Sequence, residues 1–117
     1  MTPVEGCLFC QVVSGAVPST EVLSSAGTYA FRDINPAAPV HVLVVPRDHI
    51  VDAAALDQRH GEMLAEMFDT ARRVAEAEQL AERGYRLVFN VGEESGNSVA
   101  HLHLHVLGGR RLGWPPG

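Results

Sequence analysis

Between Gln58 and Arg83 the apolar residues Met63, Leu64, Met67, Phe68, Ala71, Val74, Ala75 and Leu80 recur mostly at helical spacing. Arg72, Arg73, Glu76 and Glu82 fall off that stripe. The pattern predicts one long amphipathic helix over 58–83, with Asp57 as its N-cap and Gly84 closing it in the left-handed conformation. Elsewhere the period shortens. Residues 20–23 and 28–32 flank the turn signals of 24–27 and read as a hairpin. Residues 40–45 are almost unbroken aliphatic sequence between Pro39 and Pro46, the mark of a strand buried on both faces, and His41 interrupts it. Residues 85–91 and 101–107 supply two more strands joined by the loop 92–98, and residues 9–14 a short first helix. Strands in runs around one long helix predict an α+β fold, a five-stranded antiparallel sheet with one long and one short helix.

Composition narrows the class. A chain of 117 residues can bury a core without disulfides or metal, and no repeat or linker-like shift divides it, so residues 1–117 read as a single domain. Hydrophobic residues make up 46% of it, yet no apolar run reaches membrane-spanning length and no basic segment precedes an apolar one at the start. These features predict a soluble, cytoplasmic protein. All nine basic residues are arginine, against 14 acidic ones, for a net charge of -5 with the histidines neutral. That balance excludes nucleic acid and anionic membranes as partners. A small anion held by local chemistry stays open.

The segment His101-Leu102-His103-Leu104-His105-Val106-Leu107 alternates imidazole with aliphatic side chains. On a strand this puts three histidines on one face, about 6.6 Å apart per step, and the aliphatics on the other. Imidazoles so close disfavour each other's protonation, which leaves at least one neutral and nucleophilic at neutral pH. An exposed polar strand face and a purely metal-binding strand are the competing readings. Upstream, Asn90, Gly92, Gly96 and Ser98 make a turn-rich loop whose amides and hydroxyl suit an anion. Cys7 and Cys10, two residues apart, fit half of a zinc site, a redox dithiol or two buried thiols. His60 reads as a surface residue in the first turn of the helix.

Residues 101–107 match the motif His-x-His-x-His-x-x at every position, and from Gly6 to Gly117 the chain resembles the histidine triad (HIT) superfamily. Cys7-Leu8-Phe9-Cys10, the run Ala30 to Pro36, Pro39-Val40-His41, the run Val45 to His49 and the ending Trp114-Pro115-Pro116-Gly117 look like its Hint branch. The resemblance implies a hydrolase acting at the α-phosphorus of purine nucleoside 5'-phosphoramidates, with His103 as nucleophile in a nucleotidyl-histidine intermediate. It implies that His105 donates to a phosphate oxygen, that Ser98 sits near the leaving amine, and that Asn90 helps hold the phosphate. Asp33 would accept from the ribose. Leu8, Phe9, Phe31 and Ile34, with Val12 and Val17, would line the purine pocket, and His41 would support the triad by a hydrogen bond. Cys7, Cys10, His49 and His101 would hold a structural zinc ion. The branch looks like two-fold dimers, so residues 109–117 are expected to be a tail reaching the partner of a homodimer. Where the family usually has glutamine this chain has Asn97, which puts a phosphate contact from that position in doubt. A dinucleoside polyphosphate hydrolase, a non-catalytic purine-nucleotide-binding adaptor and a metal-only module are the alternatives.

Overall fold

The structure, a computed structural model, describes residues 4–117. Its elements in chain order are α1 (Leu8–Ser14), β1 (Glu21–Ser24), β2 (Thr28–Arg32), β3 (Val40–Pro46), α2 (Gly61–Ala77), β4 (Arg86–Phe89) and β5 (Leu104–Gly108). The strands form one sheet in the order β1-β2-β3-β5-β4, antiparallel at every pairing. This is the α+β arrangement expected from the pattern. No helix among the described residues is long and apolar enough to cross a membrane.

β3 lies at the centre, and its alternation divides the core. Val42 and Val44 join Ala30, Leu102, Leu104 and Val106 against Met67, Ala71, Val74, Ala75 and Leu80 of α2 and its end. Leu43 and Val45 face the other way, with Phe31, against Phe9 and Val12 of α1. The long helix thus packs on one sheet face over β1, β2, β3 and β5, and the short helix covers only part of the other. α2 is anchored to the β1–β2 turn by polar contacts: Gly27 N donates to Glu66 Oε2 at 2.7 Å, Ser25 Oγ donates to the same oxygen, and the Thr28 and Thr70 hydroxyls meet at 2.8 Å. A Cβ on Gly27 would stand 2.5 Å from Glu66 Oε1, so a side chain there forces the carboxylate away.

Most of the expected boundaries move, four of them by more than one residue. Asp57 caps a 3-10 turn, Gln58–His60, in a capping box with His60, and α2 starts only at Gly61. His60 is therefore a half-buried capping partner rather than a free surface residue. α2 ends at Ala77, not Arg83, because Gln79 takes φ 62° and closes a Schellman motif. Leu80 N donates to Ala75 O at 2.7 Å and Gln79 N to Glu76 O at 3.1 Å, while Gly84, at φ 98°, closes only the following turn onto Leu80 O. Burial of Leu80 in the core selects this stop over the glycine. β4 is shorter than 85–91, and β5 begins at Leu104 rather than His101, so His101 and His103 precede the ladder instead of lying in it. β1 and α1 shift by a single residue from 20–23 and 9–14.

Candidate active site

β5 pairs His105 with Leu43 and Leu107 with His41, which aims the histidines at the face α2 does not cover. There, main-chain groups decide which nitrogen of each imidazole carries hydrogen. His103 Nδ1 lies 2.7 Å from the carbonyl oxygen of His101. A carbonyl only accepts, so Nδ1 holds the proton and Nε2 presents a lone pair. His41 is fixed in the opposite sense: Ala37 N donates to its Nδ1 at 3.0 Å, so its Nε2 carries hydrogen. That Nε2 lies 2.8 Å from His105 Nδ1, which must accept, leaving His105 with hydrogen on Nε2. His105 Nε2 is buried and has no partner within the protein. A base and a hydrogen-bond donor therefore stand side by side, with ring centroids 5.0 Å apart.

Burial keeps these rings uncharged. Desolvation lowers the pKa values of His41, His101 and His103, and takes that of His105 down to about 4, helped by charge on His103 and His41. Asp33 opposes the trend at His41, its Oδ2 lying 3.4 Å from His41 Nε2. Phe9 packs edge-on against His103, centroids 5.0 Å apart, which fixes the ring plane as well as the dry environment.

His103 and His105 open onto a cavity of about 290 Å³. Leu8, Phe9, Val12, Val17, Phe31, Asp33, Ile34, Asn90 and Ser98, all named from the sequence, line the same cavity. His41 and His101 do not: each stands behind a lining histidine, His41 against the ring of His105 and His101 beneath the Nδ1 of His103. Asn97 does line the cavity, and its Oδ1 accepts from Val99 N at 3.4 Å, so its shorter side chain serves its own loop. Arg32, Asn35 and Gly96 also line it, as do Pro18, Ser19, Leu43 and Val99, whose local pattern does not distinguish them from turn or core. The packing of Phe9 on His103 was equally invisible, because it joins residues 94 positions apart.

Behind His103 the cysteines meet the remaining histidines. Cys7 caps α1 with its Sγ accepting from Cys10 N at 3.3 Å, and this turn brings both sulfurs to His101. His101 Nδ1 is 3.3 Å from Cys7 Sγ and 3.5 Å from Cys10 Sγ, and His49 Nδ1 is 3.4 Å from Cys10 Sγ. A tetrahedral zinc ion, with bonds of about 2.3 Å to sulfur and 2.0 Å to nitrogen, holds such atoms about 3.5 Å apart. The four ligand atoms lie within 4.8 Å of one another. His101 Nε2 donates to Pro46 O at 3.0 Å, which leaves Nδ1 as the ligating nitrogen. Donor set and spacing both fit zinc. Burial raises the pKa of the Cys10 thiol, a proton that an ion must displace.

Comparison with known proteins agrees with this geometry. The HIT domain model matches residues 14–112. The chain is 38% identical over 109 residues to the purine nucleoside phosphoramidase of Escherichia coli K12, covering 93% of this chain and 92% of that one. It is 43% identical over 112 residues to a 14 kDa zinc-binding protein of Zea mays (94% and 87% covered), and 42% identical to the adenylylsulfatase HINT1 of Arabidopsis thaliana (94% and 76%). The crystal structure of a HIT family hydrolase from Legionella pneumophila superposes with a TM-score of 0.94 at 46% identity, covering 96% of this chain and all of that one. The fold is thus that of HIT family hydrolases. The chain belongs to the HIT domain family.

Proposed function

We propose that the protein hydrolyses purine nucleoside 5'-phosphoramidates at the α-phosphorus, yielding a nucleoside monophosphate and an amine. The observation that carries this reading is the opposed pair of tautomers, a lone pair on His103 Nε2 beside an unpartnered N–H on His105 Nε2. His103 Nε2 attacks phosphorus as the bond to the leaving nitrogen breaks. The Ser98 hydroxyl relays a proton to that nitrogen, so it departs as a neutral amine. His105 Nε2–H donates to a phosphoryl oxygen and stabilises the charge that develops there. Water then attacks phosphorus from the vacated side and passes one proton back to Ser98, while the bond to His103 breaks and returns its electron pair to Nε2, leaving a neutral imidazole. His101 orients His103 through its carbonyl, and His41 keeps His105 in its donor tautomer.

Asp33 accepts from the ribose hydroxyls. Its Oδ1 already takes Asn35 N at 2.8 Å, but a carboxylate has acceptor capacity to spare. Asn90 holds the phosphate, and Leu8, Phe9, Phe31 and Ile34 wall the base. Ile34 is 90% exposed at the cavity mouth, apolar surface that a bound purine would cover. Similarity to the purine nucleoside phosphoramidase of Escherichia coli supports the phosphoramidate as substrate, and similarity to the Arabidopsis adenylylsulfatase supports an adenylyl group.

Cys7, Cys10, His49 and His101 would hold a zinc ion that would supply no reaction chemistry; as its ligands they would tie α1, and with it Phe9, to the segment before β5. Purified protein should carry close to one zinc per chain. The free thiols suit the reducing cytoplasm. We place residues 1–117 in one HIT domain that forms a homodimer, its tail 109–117 reaching the partner. The open edge of β4, exposed Phe68 and Leu87, and Trp114 at 83% exposure support this association. A dimer mass at micromolar concentration is expected, and a monomer mass contradicts it.

Adenosine 5'-phosphoramidate should be converted to AMP, and His103→Ala should abolish turnover while the protein stays folded. Undiminished turnover in that variant overturns the mechanism. Faster hydrolysis of diadenosine polyphosphates replaces the substrate class.

A further inference from the structure

Among the described residues three of the nine arginines are ion-paired with carboxylates and six are not, Arg47, Arg73 and Arg86 among them. Arg32, Arg59 and Arg72 pair with carboxylates, on Glu78, Asp57 and Asp69 respectively. Arg83, Arg110 and Arg111 have no carboxylate at ion-pair distance among the described residues, although the chain holds 14. Instead they converge on a cleft of about 280 Å³ between the end of α2 and the segment after β5, closed by Leu80, Gly84 and Gly109. The same three side chains border an adjoining hollow of about 240 Å³, where Arg86 adds a fourth guanidinium. No acidic residue lines either space.

The cleft is preorganised and not only charged. Arg110 donates from Nη1 to Arg111 O at 3.1 Å and from Nη2 to Ala37 O at 3.2 Å, neutral acceptors that fix its plane without cancelling its charge. Arg86 is held likewise by Gly113 O at 2.8 Å. Gly109, at φ 92°, makes the turn that folds this segment back, and a Cβ there would stand 2.9 Å from Pro39 Cβ. The carbonyl end of α2 would repel an anion, but its last turn is closed by Leu80 N to Ala75 O, Gln79 N to Glu76 O and Gly84 N to Leu80 O. Like charges gathered on one cleft repel by on the order of 1 kcal/mol per close pair in water, and an anion among them reverses the sign.

We propose that this cleft is a phosphate-binding site, separate from the histidine cavity. Three guanidiniums present more N–H donors, over a wider arc, than a planar carboxylate can use, and a tetrahedral phosphate with its several acceptor oxygens matches them. In a chain of net charge -5 these few arginines make a local basic patch, which suits one phosphate group and not a nucleic-acid backbone. The site does not depend on what the histidines hydrolyse.

Titration of 15N-labelled protein with inorganic phosphate tests it, read at the backbone amides of Gly84, Gly109 and Arg111 with chloride matched for ionic strength. Saturable shifts at these amides are expected at millimolar phosphate, weakened about tenfold in Arg83→Gln/Arg111→Gln and less in the double lysine variant. The arginine variants should hydrolyse nucleotide substrates at the parent rate. A parallel titration with AMP assigns the source: shifts stronger with AMP identify a nucleotide's phosphate, equal shifts the free ion, and both support the site. Amides that stay still, shifts reproduced by chloride, or shifts that persist in the double glutamine variant overturn it.

Discussion

The two faces of the sheet are built from the same strands and obey different rules. On the face under α2, Val42, Val44, Leu104 and Val106 are fully buried against Met67, Ala71, Val74 and Ala75, and side-chain shape and apolar area decide everything. On the other face, α1 leaves room for His103 and His105, and hydrogen bonds from main-chain groups decide which nitrogen reacts. The difference teaches where stability and function separate. Alternation along β3 and β5 places them one residue apart, so a single substitution acts on one face with little effect on the other.

The sharpest contrast comes from truncating each face in turn. His103→Ala should lower turnover at least about 10³-fold with the melting temperature nearly unchanged, since the lost group is the nucleophile. Met67→Ala should do the reverse. Met67 is fully buried, and its loss should cost about 3 kcal/mol and roughly 10 °C in Tm, with activity per folded molecule retained. Thermal denaturation and initial rates on both variants check the pair, and a rate loss in Met67→Ala comparable to that in His103→Ala would merge the two faces.

As pH falls from neutral, acid should act on the histidine face first. In the folded protein burial holds His41, His101, His103 and His105 below the usual imidazole pKa, His105 at about 4. As pH falls below about 6.5 the unfolded chain therefore takes up protons first, and stability drains away until His105 also titrates near 4. The loss should be on the order of 3 kcal/mol, readable as a falling denaturation midpoint across that window, and His105→Gln should flatten it. Smallest is the polar contact that docks α2: Thr70→Val should cost about 1 kcal/mol, because Thr28 keeps its 2.6 Å bond to Ser25.

Legibility followed the same division. The covered face could be read directly, since apolar periodicity marks α2 and β3 and the strand run marks α+β. Element ends were less accessible: a glycine at 84 is a stronger local stop than Gln79, but burial of Leu80 overrides it. On the open face the histidine alternation and the family motif pointed to His103 and His105, and the cavity gathers the residues named with them. Chain position could not reveal that His41 sets the tautomer of His105 across β3 and β5, or that Ala37 sets His41. The chain of links starts from a main-chain amide whose direction depends on the folded loop and passes on through a contact between two imidazole rings.

The central claim is that this loop and the His101 carbonyl give neighbouring histidines opposite tautomers. Long-range 15N–1H correlation of the imidazoles at neutral pH reads it directly. His103 should carry hydrogen on Nδ1 with a bare Nε2, and His105 hydrogen on Nε2 with a bare Nδ1. Hydrogen on Nε2 of His103, or both rings doubly protonated, would contradict it.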